Sequence, residues 1–201
     1  KIFADIDVFD IEVDATDIDS FINTVKAISP TFGGINLEDI KSPECFEIEK
    51  RLKEELNIPL MHDDQHGTAI ISAAALINAL EFAGKDISKV RIVINGAGAA
   101  AISCAKLYMR DETKKENILM LDSKGPLSTE RKDLDENKKF FAVKTNAENL
   151  EEAMKDADVF IGLSKGNIVN AKMVKSMSEN PVVFALANPD PEIPYEEAVA
   201  S

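Results

Sequence analysis

The chain has 201 residues, of which 45 % are hydrophobic, and a formal net charge of −13. Its length is sufficient for one or two small domains with a core of their own. The acidic balance argues against nucleic-acid binding, which requires a basic face. No window reaches about 18 continuous apolar residues, so no membrane span is expected. The acidic start lacks signal-peptide features, and Cys45 and Cys104 are expected to be ordinary buried thiols of a cytoplasmic protein.

Strand and helix patterns alternate through the first part of the chain. Apolar and polar residues alternate over Val8–Val13, which predicts a strand. Apolar residues at helical spacing predict a helix over Asp17–Ile28, ended by Pro30. The next predicted elements are a strand at Ile35–Leu37, a helix at Ser42–Leu56 capped by Ser42, and a strand at Ile58–Met61.

The second part continues the alternation. The segment Gly67–Ala83 is apolar almost all round, which predicts a buried helix with Gly84 as its C-terminal cap. Ser123–Lys139 is polar and looks the least ordered. Strands are predicted at Val90–Ile94, Ile118–Leu121, Asp158–Gly162 and Pro181–Ala187, and helices around Asn149–Asp156 and Asn170–Met177.

Strands alternating with helices predict an α/β fold with a parallel sheet. We interpret residues 89–201 as a Rossmann-like, doubly wound dinucleotide-binding domain. Residues 1–88 read as part of a second α/β domain, because their strands and helices are too few to close a sheet alone.

A glycine fingerprint follows the strand that starts at Val90. The pattern G-x-G-x-x-A falls on Gly96, Gly98 and Ala101. The first glycine permits a tight turn, the second lets backbone approach a pyrophosphate, and the alanine allows close packing of helix on strand. The alternative is an ordinary glycine-rich turn. The predicted cofactor-binding residues of this loop are Gly96, Ala97, Gly98, Ala99, Ala100 and Ala101.

An acid ends the next predicted strand, as expected for a dinucleotide fold. The Asp122 carboxylate is placed to accept hydrogen bonds from the adenine ribose hydroxyls, which predicts NAD as cofactor. Lys124 and Arg131 follow closely and would suit a 2′-phosphate instead, so NADP stays open. Asn188 follows the last predicted strand, where its carboxamide either reaches cofactor or substrate or starts the turn at Pro189.

Two pairs of adjacent acids precede the glycine loop. Glu38-Asp39 and Asp63-Asp64 each follow a predicted strand, and ligands of open α/β sheets gather at the carboxyl ends of strands. Four neighbouring carboxylates would repel one another, and a divalent cation such as Mg²⁺ or Mn²⁺ would relieve that repulsion. The alternative is a set of surface acids, with Asp64 as a helix N-cap.

Several segments together resemble the malic enzyme family, and the short bacterial type in particular. They are PTFGGINLEDI, CFEIEKRL, IPLMHDDQHGTAI, the GAGAAA loop and FALANPDPEI. The resemblance implies oxidative decarboxylation of L-malate to pyruvate and CO₂ with reduction of NAD(P). It implies Glu38, Asp39 and Asp64 as metal ligands, Asp63 as a catalytic acid that assists proton transfer, and Asn188 as a contact to cofactor or malate.

The resemblance also implies missing parts. Members of the family carry a catalytic tyrosine and lysine upstream of KIFADIDVFD, and they continue past the ANP motif. We therefore expect a central fragment of a longer protein, inactive by itself, with residues 1–88 belonging to the malate- and metal-binding domain. The full-length protein is expected to form a homodimer or higher homo-oligomer. The alternatives are a non-catalytic dinucleotide-binding or regulatory module, or an NAD-linked enzyme of the amino-acid dehydrogenase type.

Overall fold

The computed structural model describes residues 4–201. The chain divides into two compact units, the first ending at His62 and the second beginning at Asp63. The division comes earlier than the boundary after residue 88 that the sequence suggested. It assigns the long helix between these positions to the second unit, where the helix packs against the helix after the glycine loop.

The first unit contains two helices and a short parallel sheet. Helix α1 starts after Asp17, whose carboxylate accepts a 2.8 Å hydrogen bond from the Ser20 amide, as a good N-cap does. Apolar side chains of both helices and both strands form the core of this unit. The elements are α1 (Ile18–Ile28), β1 (Ile35–Leu37), α2 (Glu44–Glu55) and β2 (Leu60–His62), with a 3-10 turn at Ser29–Thr31.

Two predictions for this unit are wrong. Val8–Val13 forms no strand; Val8 and Phe9 are each 70 % exposed. Alternation alone does not make a strand, because a strand needs a neighbour that accepts and donates its backbone hydrogen bonds. Ser42 does not cap α2, which instead begins after Pro43 without a side-chain cap.

The second unit is a five-stranded α/β sheet. Its strand order is β5-β4-β3-β6-β7; the last four are parallel, and β5 is an antiparallel edge strand. The order matches a Rossmann-like sheet, and its central strands are buried except at Asp122, the last residue of β4. The strands are β3 (Ile92–Asn95), β4 (Ile118–Asp122), β5 (Gly125–Pro126), β6 (Val159–Gly162) and β7 (Val182–Ala185).

Six helices belong to the second unit. They are α3 (Asp63–Ala83), α4 (Ala99–Arg110), α5 (Glu136–Phe140), α6 (Leu150–Met154), α7 (Ala171–Lys175) and α8 (Tyr195–Val199). The segment Ser123–Lys139 is more ordered than its polarity suggested, since it holds β5 and the start of α5. Cys45 and Cys104, one in each unit, are buried thiols as expected.

Helix α3 is only partly buried, against the prediction of a helix buried all round. One face packs inward through Ala69, Leu76 and Leu80, whereas Ile71 is 69 % and Phe82 is 96 % exposed. By length and composition alone α3 is long and apolar enough to cross a membrane, a property it shares with core helices of soluble proteins. Gly84 ends it with a φ of +67°, as the sequence predicted.

Candidate cofactor site

The glycine loop joins the buried end of β3 to the start of α4. Gly96 has a φ of +135°, and a Cβ there would lie 2.5 Å from the Leu163 carbonyl oxygen, so only glycine fits. Its amide donates to the Leu121 carbonyl oxygen at 2.9 Å, which ties the turn to β4. Ala97 and Ala101 are buried beneath the loop.

Gly98 has a different environment from Gly96. It is exposed, a Cβ there would meet nothing within 4 Å, and it is the N-cap of α4 without a side-chain cap. The first amides of a helix lack intrahelical partners, and the N-terminus carries partial positive charge. Ala99 and Ala100 are half-buried in the same first turn. The loop therefore offers backbone donors in an open cradle that fits a pyrophosphate.

Asp122, at the end of β4, lies in a network of ion pairs. Arg131 donates to both of its oxygens, at 2.8 and 3.1 Å, and the Lys138 ammonium lies 3.2 Å from Oδ2. The Lys124 amide donates to Oδ1 at 3.0 Å. Burial works to raise the pKa of the Asp122 carboxyl, but the bonds from Arg131, Lys124 and Lys138 outweigh it and lower the pKa.

The same network holds Arg131 on its other side. Its guanidinium also binds Asp133, and Lys124 contacts the same carboxylate at 2.8 Å. The pKa of Arg131 is raised, first by Asp133 and then by Asp122. The sequence points to Arg131 as a potential phosphate partner but not to Lys138, whose ammonium reaches Asp122 from α5.

Asn188 follows the carboxyl end of β7 and is exposed. The amide of Leu186, just before it, donates to the carbonyl oxygen of Gly162 at 3.0 Å. This bond extends the pairing of β6 and β7 beyond their last strand residues. Asn188 therefore leaves the sheet at the carboxyl edge, where ligands of parallel α/β sheets bind.

The acid pairs follow β1 and β2. In the first unit, Leu37 of β1 is paired with His62 of β2, so the residues that follow both strands leave neighbouring positions of one edge. Glu38 and Asp39 are exposed, and Glu38 accepts a 3.1 Å hydrogen bond from the Asn36 amide group. Asp63 and Asp64 open α3 in the second unit and are half-buried.

Asp63 has a position made possible by a glycine one turn along α3. A Cβ on Gly67 would lie 2.1 Å from Oδ1 of Asp63, so the carboxylate lies against the helix backbone at Gly67. An acid in the first turn is favoured by the helix dipole. Gly67 thus leaves the space that the Asp63 carboxylate occupies.

Fold and glycine cradle together define a protein of the Rossmann dinucleotide-binding class. The profile for the malic enzyme NAD-binding domain matches residues 65–200, and the profile for the malic enzyme N-terminal domain matches residues 2–53. The chain therefore belongs to the malic enzyme family, and its second unit is an NAD(P)-binding domain.

Individual relatives agree with this assignment. The chain is 52 % identical to the NADP-dependent malic enzyme of Halomonas elongata, over 96 % of this chain and 46 % of the relative. It is 50 % identical to an NAD-dependent malic enzyme of Rhizobium meliloti, over 100 % of this chain and 26 % of the relative. The crystal structure of the NAD-dependent malic enzyme of Thermotoga maritima matches with a TM-score of 0.92 and 43 % identity, over 99 % of this chain and 54 % of that one. The chain thus spans between about a quarter and a half of these relatives.

Proposed function

We propose that the full-length protein carrying this chain converts L-malate to pyruvate and CO₂ by oxidative decarboxylation, with reduction of NAD or NADP. The observation that carries the proposal is the similarity to malic enzymes across both units. The glycine cradle supports it, because the uncapped α4 N-terminus offers backbone donors where a dinucleotide pyrophosphate would lie.

In this proposal, residues of this chain have the following roles. The first amides of α4 bind the pyrophosphate, while Gly98 leaves room for its approach. Asn188, at the edge of the sheet beyond β7, orients the nicotinamide or malate. Asp63 assists proton transfer from a position fixed against Gly67. A dinucleotide held by these residues would supply the hydride acceptor for malate oxidation.

We further propose Glu38, Asp39 and Asp64 as ligands of Mg²⁺ or Mn²⁺. The donor set supports this, since it consists of carboxylate oxygens, which hard divalent cations prefer. The pairing of Leu37 with His62 supports it as well, because both acid pairs follow that register position. The bound cation would supply Lewis-acid polarisation of the substrate carbonyl.

The cofactor form is proposed as NAD on the ground of Asp122, with NADP as the second candidate. A specific observation favours NADP: both Asp122 oxygens already accept bonds from Arg131, and Lys138 reaches one of them. A ribose hydroxyl would have to compete with these cations, whereas a 2′-phosphate would be attracted by them. A cytoplasmic location and a homo-oligomeric state also stay proposals.

The test is turnover by the full-length protein. Formation of NADH or NADPH is followed by absorbance with L-malate and Mn²⁺, and pyruvate and CO₂ are quantified in the same reaction. We expect equal amounts of reduced cofactor, pyruvate and CO₂, at a rate on the order of 10 per second. Reduced cofactor without CO₂ would indicate simple dehydrogenation, and no turnover at all would favour the non-catalytic binding module.

A further inference from the structure

Glu192 is a buried carboxylate that the proposed mechanism does not use. Its side chain is 0 % exposed, and no lysine or arginine of residues 4–201 lies within ion-pair distance of it. Burying an ionised group is costly unless hydrogen bonds replace the lost water. The groups that donate hydrogen bonds to the Glu192 carboxylate therefore indicate its role in the fold.

Two backbone amides bind the two oxygens of Glu192. The Ser164 amide donates to Oε1 and the Ala187 amide donates to Oε2, each at 3.1 Å. Ser164 follows β6 and Ala187 follows β7, so one side chain joins the loops that leave two neighbouring strands. Its own carbonyl oxygen accepts bonds from the amides of Ile168 and Val169, which fixes the residue from the backbone side.

Both loops lead to the cofactor site. Ser164 Oγ accepts a 2.6 Å hydrogen bond from Asn95, the last residue of β3, and the Leu163 carbonyl oxygen lies against Gly96 of the glycine loop. Ala187 precedes Asn188. One carboxylate oxygen of Glu192 is therefore linked through Ser164 and Asn95 to the glycine loop. The other binds Ala187, the residue that directly precedes Asn188.

Gly162, the last residue of β6, provides the space for the carboxylate. A Cβ at this position would lie 2.2 Å from Cδ of Glu192 and within 2.5 Å of both oxygens. The carboxylate of Glu192 therefore occupies the space that a side chain at position 162 would need.

We propose that Glu192 is a positioning residue that holds the glycine loop and Asn188 in the spacing that a bound dinucleotide requires. The inference rests on the proposed dinucleotide binding, but it concerns affinity for the cofactor and is measured without turnover. Each oxygen sets one loop, and only a carboxylate presents two acceptors in this geometry. A glutamine keeps one acceptor and turns its NH₂ group against the other amide, which leaves two donors facing each other.

The experiment titrates NADH and NADPH into the full-length protein by fluorescence and compares Glu192→Gln with the exposed Glu196→Gln as matched control. We expect the Kd of Glu192→Gln to rise by about tenfold or more, from loss of one buried charge-assisted bond, with Glu196→Gln unchanged. In turnover assays the KM for the cofactor should rise in the same variant and stay unchanged in Glu196→Gln. A lowered Tm with an unchanged Kd would show a purely structural role and overturn the proposal.

A second variant keeps the proposal testable if Glu192→Gln does not fold. Gly162→Ala should push the carboxylate off its two amides and raise the cofactor Kd by about tenfold as well. In a Glu192→Ala background the added methyl group enters vacated space, and the further change should stay within about twofold. Equal effects of Gly162→Ala in both backgrounds, or no effect on Kd in either, would contradict the proposal. If the unchanged protein binds dinucleotide but does not decarboxylate malate, only the proposed function fails.

Discussion

Gly96 and Gly98 lie two residues apart and lack a side chain for different reasons. The φ of +135° and the Leu163 carbonyl oxygen exclude a side chain at Gly96 from the folded chain itself. Nothing in the chain excludes one at Gly98, whose φ is −87°. The fold therefore requires a glycine at position 96, whereas we propose that the dinucleotide requires one at position 98.

Gly98→Ala is expected to separate folding from cofactor binding. The new methyl group meets no atom of the protein, so the Tm should stay within about 2 °C, whereas the pyrophosphate approach is blocked and the Kd for NAD(P)H should rise at least about tenfold. Gly96→Ala serves as the comparison and should lower the free energy of unfolding by about 1–3 kcal/mol. A fluorescence titration measures the cofactor Kd of each variant, and a thermal melt measures its Tm. Unaltered cofactor affinity in Gly98→Ala would remove this loop from the site.

Cofactor selection at the end of β4 is a second property of single residues. If Arg131 and Lys138 bind a 2′-phosphate, Arg131→Ala and Lys138→Ala should reduce kcat/KM for NADP by about tenfold or more and change that for NAD little. If Asp122 binds the ribose, Asp122→Ser should instead weaken NAD and relatively favour NADP. Lys132→Ala, an exposed neighbour, is the control. A panel in which no variant changes the NADP-to-NAD ratio would mean that this network is not the selecting element.

At the scale of elements, the start of β6 is tied to the end of α3 by a half-buried ion pair. Asp158 Oδ1 accepts bonds from Lys85 at 2.6 Å and from Ser178 at 2.8 Å, and its Oδ2 accepts from the Arg91 amide at 2.9 Å. Burial acts to raise the pKa of the Asp158 carboxyl, but these bonds outweigh it and hold the pKa below its ordinary value. The network lies at the opposite end of β6 from the cofactor loops, so it bears on stability.

Asp158→Asn is expected to cost about 1–3 kcal/mol of unfolding free energy at neutral pH, because Lys85 then loses its half-buried counter-charge. A carboxyl with a depressed pKa in the folded state contributes stability above its ordinary pKa and loses it as the pH falls through the folded value. The gap between variant and unchanged protein should therefore close below about pH 4. Urea unfolding at several pH values measures it, with exposed Glu179→Gln as control. A gap that is independent of pH would mean that the charge of Asp158 is not what stabilises the sheet.

The elements that sequence predicted well are those set by local signals. β1, β3 and β4 follow from short apolar runs between turn residues, and Gly84 marks a helix end through its own backbone preference. Asp17, predicted as the first residue of α1, is instead its N-cap through a side-chain hydrogen bond. The strand prediction for Val8–Val13 was wrong because a strand also depends on a neighbouring strand. The prediction that α3 is buried all round was wrong because hydropathy does not show what covers a side chain. The contacts of Glu192 could not be predicted from the sequence, since its partners are backbone amides.

At the scale of the whole molecule, the acidic balance of the chain bears on the proposed metal ligands. The net charge of −13 makes the chain self-repulsive, and a cation held by three carboxylates would offset part of that repulsion. Metal affinity and folding stability of the full-length protein should therefore be linked.

Mn²⁺ is expected to raise the Tm of the full-length protein through this linkage. A ligand that binds only the folded state stabilises it by about 2.7 kcal/mol at a concentration 100 times its Kd, so the shift should grow with the logarithm of Mn²⁺ concentration. Asp64→Asn removes a charged ligand and should abolish most of the shift and most of the Mn²⁺-dependent turnover, with NAD(P)H binding largely retained. Glu54→Gln removes the same charge at an exposed position of α2 and should leave the shift intact. Differential scanning calorimetry in the presence and absence of Mn²⁺ measures all three proteins. If Asp64→Asn and Glu54→Gln respond to Mn²⁺ alike, the cation acts on the overall charge of the molecule, and Asp64 is not its ligand.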